Sequence, residues 1–167
     1  MNTTLKLSKF VTIVGLTLGL AAGTAMAAPA GAHQHDHDHA GGATALMLND
    51  GAKWAIDAPL ARAMANIRNA VHAELDEIHA DKLPKKNYRA LAKKISGEVA
   101  YMVENCHLEP EADAQLHLII ADLIEGVAAM EGETAHGSPR DGAVKVVGAL
   151  DDYATYFDDP RFEPIRH

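Results

Sequence analysis

Leu60, Met64, Ile67, Val71, Leu75 and Ile78 recur at intervals of three and four residues, the spacing that lays one apolar stripe along a helix. The pattern predicts a helix over about 58–80, with Asp57 at its N-cap and Pro59 in its first turn. The same period returns three times. Tyr88, Leu91, Ile95, Val99, Met102 and Cys106 mark a second helix over about 85–106, behind Pro84. Leu116, Ile120, Leu123, Ile124 and Val127 mark a third over about 110–131. It opens on Pro110, with Glu111 and Asp113 at the positive end of the helix dipole. Val144, Val147, Leu150, Tyr153 and Phe157 mark a fourth over about 139–158. Its start, Ser138-Pro139-Arg140-Asp141, reads as N-cap, first-turn proline and capping-box acid. Short connections between helices of similar length predict an all-α domain over 46–167, an up-down-up-down four-helix bundle. The stretch Leu46–Trp54, with the turn signal Asn49-Asp50-Gly51, is expected to cross one bundle end with Trp54 as a lid.

The periodicity fails at the N-terminus, and a different pattern takes over. Lys6 and Lys9 precede an apolar run from Phe10 to Ala22, which closes on the small-x-small triplet Ala25-Met26-Ala27. Those three parts are the design of a secretory signal peptide over 1–27. The apolar run is short for a membrane span and is followed by no stop-transfer charges. No cysteine stands at the cleavage site to take a lipid. The expectation is an exported, periplasmic protein that is not inserted in the membrane once the signal is removed.

Residues 28–45 are rich in Gly and Ala and enclose His33-Gln34-His35-Asp36-His37-Asp38-His39. With almost nothing to bury, this His-rich linker is expected to be disordered. Four imidazoles spaced two apart, with carboxylates between them, can wrap a divalent ion, and imidazole suits zinc, copper and nickel. A hydrophilic spacer would have the same composition.

Charge narrows the classes further. The chain has 23 acidic and 15 basic side chains, a net −8, so it offers no broad basic face for nucleic acid. Its single cysteine excludes an internal disulfide framework and any cysteine-rich zinc module.

At one end of an antiparallel bundle the helical phase, about 100° per residue, gathers unusual side chains. Met102 and Cys106 are four apart on the second helix, Asp113 and His117 four apart on the third, and Met64 points inward from the first. Thiolate, thioether and imidazole form a soft set that favours Cu(I), or zinc if the carboxylate joins. Taken singly, each has an ordinary structural role: a buried cysteine is a small hydrophobe, methionine fills core gaps, and an acid suits a helix start. A second group, His72, Asp76 and His79, falls on one stripe of the first predicted helix, where a solvated polar face explains it equally well.

Several chemistries have no ligands or nucleophiles here. Covalent haem needs Cys-x-x-Cys-His, and a b-type haem held by a fourth-helix histidine fails because that helix contains none. Of the two Glu-x-x-His pairs a carboxylate di-iron site would use, Glu104/His107 points away from the core and Glu133/His136 lies at a loop. No Gly-x-Ser-x-Gly, His-Glu-x-x-His or phosphate-cradling loop occurs, so no enzyme is predicted.

Leu48-Asn49-x-Gly51-x-Lys53-Trp54 and Cys106-x-Leu108-x-x-x-Ala112-Asp113-x-x-Leu116-His117 resemble stretches of a family of small secreted proteins of Gram-negative bacteria, sometimes labelled DnrO-like. The resemblance spans about 46–160 and places Cys106, Asp113 and His117 in the family motif, with no activity attached. The DNA-binding role attached to the label disagrees with the export signal and the acidity. Two expectations therefore stand. One is a periplasmic copper- or zinc-binding buffer or carrier using Cys106, His117, Asp113, Met102 and Met64 together with His33, His35, His37 and His39. The other is a helical bundle that binds an envelope protein, as chaperone or adaptor, without metal.

Overall fold

The computed structural model describes residues 45–135 and 137–166. The expected signal peptide, all four linker histidines, His136 and His167 lie outside the described residues. The described residues are all-α, with five helices: α1 (Ala58–His72), α2 (Leu75–His79), α3 (Lys85–Asn105), α4 (Pro110–Glu131) and α5 (Pro139–Tyr156). None of them is long and apolar enough to cross a membrane.

The helix starts follow local chemistry. Asp57 caps α1 by accepting from the Leu60 amide, and Pro59 sits where its missing N–H costs nothing. Ser138 and Asp141 form a complete capping box at the start of α5. α4 ends on Gly132 at φ 83°, a left-handed terminus that glycine adopts without strain.

The long helices pack in a bundle-like body, with α4 against α5 and α3, and α1 against α3 and α5. Leu60, Met64, Ile67, Ile95, Met102, Leu116, Ile119, Leu123, Met130, Leu150, Tyr153 and Phe157 fill its centre. α4 and α5 cross closely at two glycines. A Cβ on Gly142 would stand 2.5 Å from the Gly126 carbonyl oxygen and 2.8 Å from the Met130 nitrogen.

Three readings of the pattern need correction. The first predicted helix is broken: α1 stops at His72, the chain turns at Ala73 and Glu74, and α2 resumes at Leu75. No helix-breaking residue stands there. Burial of Ile78 and Leu83 pulls the chain over the end of the body, and Arg140 Nε donates to the Ile78 carbonyl at 3.1 Å. The His72, Asp76 and His79 stripe is split accordingly, His72 ending α1 and the other two lying in α2. Ile124 and Val144 are about half exposed, and Val146 and Ala143 take the core positions on α5. Cys106 is the half-buried C-cap of α3, outside the helix, and α5 ends at Tyr156.

The segment before α1 is held across the body by specific bonds. The Met47 amide donates to Oε1 of Gln115, the one buried polar side chain among the described residues. Trp54 Nε1 donates back to the Met47 carbonyl. The Trp54 amide donates to the Tyr156 carbonyl and the Asp158 amide to the Trp54 carbonyl, an isolated parallel bridge between Trp54 and Phe157.

Gly142→Ala is expected to destabilise the protein by about 1–3 kcal/mol, because backbone blocks the added methyl. Gly97→Ala meets nothing within 4 Å in the interior of α3, and is expected to stabilise by about 0.5–1 kcal/mol. Urea denaturation of the two variants beside the parent checks the opposite signs.

Candidate functional site

The start of α1, the end of α3, the start of α4 and the residues after α5 meet at one end of the body, with Asp57 at their centre. Asp57 Oδ1 accepts from the Leu60 amide at 2.9 Å and Oδ2 from the His107 amide at 2.7 Å. The Cys106 thiol also donates to this carboxylate. One side chain thus ends α3, begins α1 and fixes the connection into α4. Burial pushes the Cys106 thiol up to about 12, and the charges of Asp57 and Asp113 push it the same way. Tyr153 lies in the same layer, its hydroxyl donating to Asp159 at 3.0 Å, and burial raises its ionisation above the ordinary phenol range.

The sequence-predicted ligands are distributed unevenly around this centre. Asp113 and His117 are together, with His117 Nδ1 at 2.8 Å from the Asp113 carbonyl oxygen and 3.4 Å from its carboxylate, and with the His117 side chain 67% exposed. Cys106 lies within reach of the charges of Asp57 and Asp113. Met64 and Met102 are buried in the core. Among the described residues, no three His, Cys, Asp or Glu side chains are grouped so as to hold a metal ion.

Beside Asp57 the surface opens into a cleft of about 530 Å³. Trp54, Ala55 and Ile56 form one wall, and His107, Leu108 and Ala112 the other, with Glu109 and Glu111 at the rim. This size falls within the range of small-ligand sites, and Asn49, Asp57 and His107 make the lining about as polar as apolar. The sequence pattern singled out Trp54, but not the cleft. Its two walls come from segments some fifty residues apart, and no period connects them.

Comparison of the chain with protein-family models, with curated proteins and with solved structures gave no match.

Asp57→Asn should make the thiol react faster. The amide oxygen can still cap Leu60, whereas the charge that helps hold the thiol protonated is gone. Iodoacetamide labelling of native protein at pH 8.5 is expected to be slow in the parent and several-fold faster in the variant. The raised thiol also contributes stability that is present below pH 9, the ordinary value, and is lost as pH rises from there toward about 12. Cys106→Ser, whose hydroxyl does not ionise in that window, should lose less stability between pH 8 and 10.5 than the parent, as measured by urea denaturation.

Proposed function

We propose that the protein is an exported transition-metal buffer in which residues 28–45 capture the ion and an up-down-up-down four-helix bundle is the stable body that carries them. The observation that carries this reading is the run His33, His35, His37 and His39 with Asp36 and Asp38 between, six donors within seven residues. Imidazole is the commonest protein ligand for zinc and copper, and alternate carboxylates lower the charge of the bound complex. A signal peptide over 1–27 would deliver this segment to the periplasm, an oxidising compartment. There a free thiol is safest when protonated and partly buried, as Cys106 is.

The bundle's own donors stand in a graded relation to this role. Asp113 and His117 are adjacent on α4, an exposed imidazole beside a half-exposed carboxylate, two donors where a held ion needs at least three. Cys106 could join only by surrendering a proton that burial and two carboxylates retain, so its contribution would carry a pH-dependent penalty. Met64 and Met102 would have to leave the core to bind. Zinc or copper held mainly by imidazoles exchanges readily, which suits buffering and transfer rather than permanent storage.

Calorimetric titration with Zn(II) and Cu(II) tests the reading on protein lacking residues 1–27. Replacing His33, His35, His37 and His39 by alanine is expected to abolish binding in the micromolar range. His117→Ala should leave it unchanged. Parent binding should weaken progressively in acid, as protons compete with the metal for the imidazoles. Undiminished affinity in the four-alanine variant would refute the assignment to the tail.

A further inference from the structure

The cleft beside Asp57 has a feature that metal binding does not use, an open backbone edge. Trp54 turns both its N–H and its carbonyl toward Phe157, bonding Tyr156 at 2.8 Å and Asp158 at 2.9 Å. In extended chain the backbone groups of the next residue point to the opposite side. That residue is Ala55, which is exposed and lines the cleft. Among the described residues no group pairs with its N–H or carbonyl. The edge therefore faces a channel walled by Ile56, Leu108 and Ala112, with the indole of Trp54 beside it. An edge of this kind is a template for another extended segment.

The rim defines which segment. Asp57 is occupied by its amide and thiol donors, whereas Glu109 and Glu111 are exposed on the far side of the channel. No lysine or arginine lines the cleft. Alternation in a strand sends successive side chains to opposite faces. A segment paired with Ala55 would therefore press apolar side chains against Ile56 and Leu108 and send alternate ones toward the two glutamates.

We propose that this cleft binds an extended segment of a partner protein in which apolar and basic residues alternate, by strand addition at Ala55 and charge pairing at Glu109 and Glu111. The inference is independent of metal capture by the tail. It assigns the structured body its own task, recognition of a basic, strand-forming peptide. The charge pairing steers and selects, and the apolar wall with the backbone bonds supplies the affinity.

The test uses a capped hexapeptide alternating valine and lysine, titrated into 15N-labelled protein, with its valine–glutamate counterpart as control. Saturable shifts are expected at the Trp54 indole and at the amides of Ala55, Ile56 and Leu108, with hydrogen exchange at Ala55 slowed at saturation. Glu109→Gln/Glu111→Gln, at two exposed positions, should weaken the lysine peptide several-fold and lower the melting temperature by only a few degrees. N-methylation of the peptide's alternate amides should abolish binding. The proposal is overturned by no saturable shift at millimolar peptide, by equal binding of the glutamate peptide, or by undiminished affinity in the double variant. Retained binding of the N-methylated peptide would overturn the strand pairing.

Discussion

The carboxylate of Asp57 holds one end of the molecule together. It caps α1, takes the amide of His107 and accepts the Cys106 thiol, so the start of α1 and the connection from α3 to α4, fifty residues apart, share one acceptor. The Leu60 amide is a donor that the start of a helix leaves without a partner, and the half-buried carboxylate satisfies it together with two donors from the connection between α3 and α4. The position of the cleft follows, because Asp57 draws the extended segment before α1 toward the connection between α3 and α4.

The same acceptor sets the chemistry of the only cysteine. A thiol beside a cation or a helix N-terminus becomes a thiolate, a nucleophile and a metal ligand. Cys106 has the opposite surroundings: partial burial, a carboxylate on its hydrogen and a second carboxylate close by. It terminates a helix rather than beginning one. The environment suits a protonated, quiet side chain, which is why the proposed metal capture is assigned to the histidines ahead of the helical body and not to this thiol.

Much of the fold was readable from the residues because its determinants are local. The Asp57 and Ser138 caps and the apolar periods of α3 and α4, Cys106 and Ile124 apart, are set within one or two turns, and the structure keeps them. The break between α1 and α2 was not readable. Ala73 and Glu74 favour helix, and the turn answers to Ile78, Leu83 and the guanidinium of Arg140, sixty-two residues beyond the carbonyl it meets. The candidate site divides along the same line. Helical phase alone placed Asp113 beside His117 and Met102 in the interior. It could not supply the Asp57–His107 bond or the bridge from Trp54 to Phe157, which join segments fifty or more residues apart. For that reason the cleft and the raised ionisation of Cys106 emerge only in three dimensions.

The central claim is that an ion bound by this protein rests on imidazoles, while the thiol stays with Asp57. X-ray absorption at the zinc edge, on protein carrying one equivalent of zinc at neutral pH, reads the ligand atoms directly. A first shell of nitrogen and oxygen alone, at about 2.0–2.1 Å, is the predicted result. A sulfur scatterer at about 2.3 Å would contradict it, because it would put the Cys106 thiolate on the metal.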